Sequence, residues 1–327
     1  MRFYSFVLHK TSFWRLVLVL AAAVFFALIP LIFDDPYVLH LMIMGLIWTI
    51  VTCSWAVMLG FLGIFHFAQI AFFGIGGYTS ALLTIKTGVS PWIGILCGGL
   101  LAAAVSLGLS LPSLRLKGPY IAVVSFGFSE CIRITSSNLA FTGAELGLWG
   151  IPPLWPGCGK TQFYYCILIT CMLIVAALYS LVTSKYGIAA KAMKASSVSS
   201  ESIGIEIYKT KIGFFFFTTF FAGIAGGFYA HFVSGLSPET FSIAHMIDIM
   251  VMGLIGGITT VFGPIVGTFI VYLSLENLRI IQESRFLIYA VVMIVIMIFK
   301  PEGVYSIIDR ALKGLREPRF RPFTKTF

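Results

Sequence analysis

The sequence predicts an all-α, polytopic membrane protein of about ten transmembrane helices, on three observations. Of its 327 residues, 59% are hydrophobic and only 11% charged, against roughly 25% charged in soluble globular chains. Apolar stretches recur from residue 14 to residue 299 with no soluble-looking block between them, and crossing a bilayer as a helix takes about 20 such residues. The Lys and Arg residues concentrate in alternate connections between those stretches, which marks a defined membrane topology.

The expected spans are 14–33, 37–58, 63–85, 91–111, 119–135, 161–183, 212–233, 243–258, 262–280 and 286–299. The first follows a basic start (Arg2, Lys10, Arg15). It is longer than a signal-peptide core and ends in Phe33-Asp-Asp-Pro36 rather than at a small-residue cleavage site, so it reads as a retained helix. Spans 119–135 and 243–258 are short, and short or glycine-interrupted spans mark broken helices at transport sites. With the N-terminus inside, 17 of the 22 Lys and Arg residues lie on the cytoplasmic side, so both termini are expected there. Residues 1–13 then form a cytoplasmic tail, 14–300 the transmembrane domain and 301–327 a basic cytoplasmic tail. The longest inner loop is 184–211, and 136–160 is an outer loop.

The second and seventh helices enter the bilayer from opposite sides. Helices two to five and seven to ten can therefore form two halves of inverted topology, as in many transporters. A faint echo accompanies this: Gly60-Phe-Leu-Gly63 and Gly253-Leu-Ile-Gly256 each precede a Phe-Gly pair, Phe73-Gly74 and Phe262-Gly263. The 32 glycines cluster inside apolar runs, where small residues let helices approach closely. Kinked or unwound backbone is expected at 61–77 and 253–267.

Several function classes are disfavoured. The net charge of +9 does not point to nucleic acid, because the basic residues are spread between apolar segments and along the termini rather than gathered with aromatics. The six cysteines show no CxxC spacing and read as small apolar packing residues. No G-x-x-x-x-G-K-[ST], H-E-x-x-H or G-x-S-x-G occurs, so neither ATP binding in that manner nor bond chemistry is assigned to this chain, and no cofactor or metal is expected.

Polar residues inside apolar spans are the functional candidates, since they are costly there and usually face a cavity or a partner. His66 and Gln69 stand three apart and share a face if that stretch is helical. They lead the substrate-pathway candidates, with Phe73 and Gly74 further along the same span; an interhelical hydrogen bond explains the pair equally well. Glu130 and Arg133 are spaced i, i+3 and read first as an ion pair, with Glu130 kept as a pathway candidate. Asp248 sits in a short span and is either pore-facing or helix-linking. Glu276 and Arg279 read as a structural pair. His231, Glu239 and His245 are expected on the outer side, meeting a partner or water. In the loop 184–211, Ser196 or Ser197 is placed to cap a short helix ending at Gly204. That helix is too polar to span, so it is either an interfacial amphipathic helix or a docking element.

The chain also resembles a known family. Lys185-Tyr-Gly-Ile-Ala-Ala-Lys-Ala-Met-Lys194, Glu201-Ser-Ile-Gly204, Ala222-Gly-Ile-Ala-Gly-Gly-Phe-Tyr-Ala230 and Ser237-Pro-Glu-Thr-Phe241 look like the LivM-type permeases of branched-chain amino acid ABC importers. So do Phe72-Phe-Gly-Ile-Gly-Gly-Tyr78, Leu114-Arg-Leu-Lys-Gly-Pro-Tyr120, Gly147-Leu-Trp-Gly-Ile-Pro-Pro153, Val261-Phe-Gly-Pro-Ile-Val-Gly267 and Phe299-Lys-Pro-Glu-Gly303. The likeness runs in order over roughly 40–310. It implies an ABC importer permease fold in a bacterial inner membrane, with alternating access to a path for leucine, isoleucine or valine. It also implies partners: a second homologous permease forming a heterodimer, two cytoplasmic ATP-binding subunits that hold the ATP and Mg, and a periplasmic substrate-binding protein. Ser197, Ser200, Glu201, Ile203 and Gly204 would form the ATPase-coupling element, and Thr142, Glu145 and Glu239 would face the binding protein. The sequence departs from the family pattern in places. Ile64 stands for Gln, His66 for Ser and Gln69 for His, and Thr142-Gly-Ala-Glu-Leu-Gly-Leu148 replaces T-G-G-P-N-G-L. Urea, short amides or small organic acids are the alternative cargo. An ion-driven secondary transporter and a structural membrane protein are the rival classes.

Overall fold

The computed structural model describes residues 26–30, 35–115, 119–277 and 303–306. The span expected at 286–299, the tail 1–13 and the tail 301–327 apart from 303–306 lie outside the described residues, as do Arg279 and all of the span 14–33 except the helical stretch 26–30. Four helices, Pro36–Leu62, Pro91–Ser110, Lys160–Thr183 and Ile207–Val233, are long and apolar enough to cross a bilayer, and Ile243–Gly256 and Gly263–Ser274 are shorter apolar helices. The fold is thus helical and polytopic, and the described residues do not establish ten spans.

Helix α1 (Pro36–Val57) lies at the centre. Asp35 caps it: its carboxylate accepts the Tyr37 N–H at 2.8 Å, and Pro36 fills the first position, where its missing N–H is no loss. Every residue from Gly45 to Val57 is buried, because α1 is enclosed by α5 (Lys160–Thr183), α8 (Ile207–Val233), α9 (Ile243–Gly256) and α10 (Gly263–Asn277). Its last turn widens into the π-turn Met58–Leu62 and stops at Gly63, whose φ of 71° suits a residue without Cβ. Residues 63–68 are irregular. Helix α2 (Gln69–Thr87) follows, so the span expected from 63 begins at Gln69.

Helices α2, α3 (Pro91–Arg115) and α8 pack as a trio. A Cβ on Gly76 would overlap the Gly223 main chain, and one on Gly98 would overlap the Gly76 carbonyl. The backbone is therefore unwound only over the first part of the expected stretch 61–77. From Gln69 onward the glycines serve contact between regular helices. At 253–267 the correction is similar: only 257–262, between α9 and α10, is non-helical.

Helix α4 (Pro119–Asn138) leads into the loop 139–159 through the 3-10 turns Ala140–Thr142 and Ala144–Leu146. Ala144 sits at φ 52°, where the family pattern has glycine; the strain costs about 1 kcal/mol. Strand β1 (Leu148–Trp149) pairs antiparallel with β2 (Gly235–Leu236), Leu148 opposite Leu236, and so stitches this loop to the end of α8. His231 completes the seam. Its Nδ1–H donates to the Pro152 carbonyl at 2.7 Å, and Nε2 accepts from the Ser80 hydroxyl at 2.8 Å. Because a carbonyl can only accept, the neutral tautomer is fixed. The expectation of a hydrated or partner-facing His231 is thus corrected, since the ring is buried and bonded at both nitrogens. His231→Ala is expected to lose about 1–3 kcal/mol by stranding its partners, seen as earlier thermal unfolding in detergent; an unchanged transition would show that the strand pair alone holds the loop.

Long-range contacts sort the connections into two ends. At one end Lys160 Nζ donates to the Pro36 carbonyl at 3.3 Å, and Lys86 lies 5.5 Å from the Phe141 ring centroid. At the other, Lys194 reaches the Gly60 carbonyl at 2.8 Å, and Gly303 packs on Gly257.

Candidate functional site

Irregular backbone at membrane depth must find partners inside the protein, and at 63–68 it does. Trp55 Nε1–H donates to the His66 carbonyl at 3.0 Å, and the Phe67 N–H donates to Ser125 Oγ at 2.9 Å. Gln69 Nε2 donates to the Thr218 carbonyl on α8 at 3.2 Å. Three side-chain atoms are left over: Nδ1 and Nε2 of His66 and Oε1 of Gln69 are buried with no partner, in residues that are 0% exposed. An unmade hydrogen bond of this kind costs about 1–3 kcal/mol, so packing does not account for these groups. The two residues do not share a helical face, because His66 lies in the break and Gln69 opens α2. The interhelical bond anticipated for the pair exists for Gln69 only.

A second unsatisfied group lies on α9. Asp248 is 8% exposed, with Oδ1 unpartnered and Oδ2 3.6 Å from His245 Nδ1. His245 stacks on Trp48 at 5.8 Å, Trp48 on Phe73 at 5.4 Å, and Tyr229 meets Phe73 edge-on at 5.4 Å. Residues of α1, α2, α8 and α9 thus form one aromatic group beside a buried acid. Gly74 is held by the Phe241 ring, 2.6 Å from where a Cβ would stand.

The remaining candidates fall elsewhere. Glu130 accepts from Arg133 at 2.9 Å, so the acid is paired. Thr142 is buried, and its hydroxyl lies 2.7 and 2.6 Å from the carbonyls of Ser136 and Leu139, which turns it inward. Glu145 and Glu239 are exposed.

At the other end of the protein a helical pair projects from the helices. Helix α6 (Lys185–Ala195) is capped by Ser184 and buries Gly187, Ala190 and Met193 on one face. Ser196 caps α7 (Ser197–Ser202), its hydroxyl accepting the Ser199 N–H at 3.3 Å. The segment ends at Gly204, φ 82°. Ser200 is buried with its hydroxyl on the Ser196 carbonyl at 2.8 Å, while Glu201, Ile203 and Gly204 are exposed, Ile203 by 74%.

Sequence reasoning did not single out Trp48, Tyr229, Lys191 or Lys194. The first two looked like ordinary apolar-span aromatics, and the lysines like topology signals. Among the described residues no group of three or more His, Cys, Asp or Glu side chains could hold a metal.

A helix break that holds unsatisfied polar groups, with a buried acid on a neighbouring short helix, is the pattern of a transport protein. The model of a family described as "Branched-chain amino acid transport system / permease component" matches residues 37–299, and the chain belongs to that family. Over 287 residues it is 28% identical to the high-affinity branched-chain amino acid transport system permease protein LivM of Escherichia coli (strain K12), covering 79% of this chain and 67% of that protein. The LivM of Salmonella typhimurium (strain LT2) is 27% identical over 300 residues, 83% of this chain and 70% of that one. A probable branched-chain amino acid transport permease protein LivH of Methanocaldococcus jannaschii is 21% identical over 279 residues, 76% and 85% of the two chains. No solved structure matches.

Proposed function

We propose that this permease component carries leucine, isoleucine or valine across a bacterial inner membrane as a membrane subunit of an ATP-driven importer. The observation that carries the reading is the family match across residues 37–299. In this reading the end bearing α6 and α7 is cytoplasmic, with both termini, and Ser197, Ser200, Glu201, Ile203 and Gly204 receive an ATP-hydrolysing partner. The exposed Ile203 and the sharp turn at Gly204 support that role. A second, homologous permease completes the path as a heterodimer. A substrate-binding protein docks at the opposite end, where Glu145 and Glu239 are exposed. His66 and Gln69 at the first break, and Asp248 with Phe73 in the aromatic group, line the route that opens. The protein itself moves no bonds; ATP and Mg belong to the partners.

The test is co-purification of the tagged chain from its native membrane, with uptake of tritiated leucine measured in parallel. Two ATP-hydrolysing subunits and a second permease are expected with the wild type, and the ATP-hydrolysing subunits are expected to be lost from Glu201→Arg/Gly204→Trp. A Cβ at Gly204 meets nothing within 4 Å, though φ 82° strains any residue but glycine there. A wild type that purifies alone, with uptake abolished by a proton or sodium uncoupler at constant ATP, would replace this reading with an ion-driven one.

A further inference from the structure

We propose that Lys194 is a positioning residue that fastens the projecting helices α6 and α7 to the broken end of α1, so that displacement of those helices moves the membrane break at 63–68. The inference rests on the functional reading above, which supplies the driving subunit, but the link itself is read from geometry. Lys194 Nζ donates to the Gly60 carbonyl at 2.8 Å. Gly60 lies in the last turn of the run Pro36–Leu62, where carbonyls have run out of helical N–H partners and carry the negative end of the helix dipole. A cation there makes a charge-assisted bond, stronger than a neutral one. The lysine stem lies along the turn, with Cγ 3.1 Å from where a Cβ on Gly63 would stand. Lys191, three residues earlier on α6, places its ammonium 5.0 Å from the Phe61 ring centroid. Two of the three lysines of α6 therefore grip the same π-turn.

That turn is where the two breaks of the membrane domain meet. A Cβ on Gly60 would overlap the carbonyl of Ile258, so the first break lies flat on the second. The second is in turn closed by Gly303 against Gly257 and by the Val304 N–H on the Ile255 carbonyl at 2.9 Å. A short way beyond Gly63 the chain reaches His66, whose ring nitrogens are unsatisfied in this conformation. A push on α6 is thus delivered to the segment holding the uncommitted polar groups. A lysine that merely anchors α6 at the lipid surface would aim its ammonium outward to headgroups or water. This one is aimed at a main-chain carbonyl far away in sequence.

The experiment uses the complete transporter reconstituted in proteoliposomes and measures tritiated leucine moved per ATP hydrolysed, together with thermal unfolding. Lys194→Met keeps the apolar stem and removes the donor. It is expected to retain the ATP-hydrolysing subunits and their hydrolysis while leucine moved per ATP falls about tenfold, the ratio that losing one charge-assisted hydrogen bond imposes on a two-state equilibrium. Lys194→Arg restores most of the coupling, and Lys191→Met causes a smaller loss. Wild-type stoichiometry in Lys194→Met overturns the proposal. So does a loss of transport in Lys194→Met that only tracks loss of folded protein, or a Lys194→Arg that is as uncoupled as Lys194→Met. If the wild type neither moves leucine nor holds an ATP-hydrolysing subunit, it is the functional reading above that fails.

Discussion

Replacing Gly76 by leucine is expected to leave almost no folded protein in the membrane. Gly76 lies where α2, α3 and α8 converge: its hypothetical Cβ would overlap the Gly223 main chain, while Gly98 rests against the Gly76 carbonyl from the other side. No side chain can rotate out of the way, because the obstructing atoms are backbone. Inserting bulk into a well-packed site costs roughly 1–3 kcal/mol when side chains can adjust, and here whole helices must part. Separating them would also undo the Gly226 contact with the Phe73 carbonyl and the Gln69–Thr218 bond along the same seam. Net stability is only about 5–15 kcal/mol, so parting the three helices is expected to unfold the domain. Gly108→Leu is the matched control. It is also a helical glycine, on α3, but it is exposed and a Cβ there meets nothing within 4 Å, so it should fold as the wild type does. Fluorescence-detected size exclusion of the two variants measures the difference; equal folded peaks would show that the trio is looser than its backbone contacts imply.

The contrast between Gly76 and Gly108 also shows what the sequence could and could not reveal. Both are glycines in apolar runs, and nothing local separates a packing glycine from an exposed one. That distinction is made by residues 223 and 98, far off in sequence. Where the governing physics is local, the reading was accurate: the capping of α7 at Ser196 follows from a hydroxyl preceding a short helix, the stop at Gly204 from its tolerance of positive φ, and the Glu130–Arg133 pair from helical spacing. The break after α1 was legible only in part. Glycine density suggested unwinding over 61–77, yet a π-turn and one left-handed glycine use up the irregularity by residue 68. This is why His66 and Gln69 are not on one helical face. The aromatic group around Asp248 was not visible either, since Trp48, Phe73, Tyr229 and His245 come from different helices, and periodicity within one helix says nothing about which neighbours it meets.

Asp248→Leu and His66→Leu are expected to cripple leucine transport while leaving the fold as stable as the wild type, or more so. The reason lies in the unsatisfied atoms. Asp248 Oδ1 and both ring nitrogens of His66 are buried without partners, and replacing such groups by apolar ones of similar size removes a penalty of about 1–3 kcal/mol each. Buried charges replaced by well-packed apolar residues often leave a protein unharmed or stabilised. For a chain of this size each kcal/mol regained raises the unfolding temperature by about 2–4 °C. If instead these side chains exist to hold helices together, stability must fall with substitution. Transport moves the other way, because a path that opens beside Asp248 loses the only carboxylate among the described side chains of the aromatic group, and one that opens at the break loses its uncommitted histidine. A fall of about 10–100-fold in leucine uptake corresponds to the loss of one charged hydrogen bond at each site. Thermal unfolding and uptake measured on the same preparations separate the two roles. Falling stability with proportionate uptake would make Asp248 and His66 struts; steady or rising stability with uptake gone would place them on the route of the substrate, kept unsatisfied in the closed conformation because the cargo completes them.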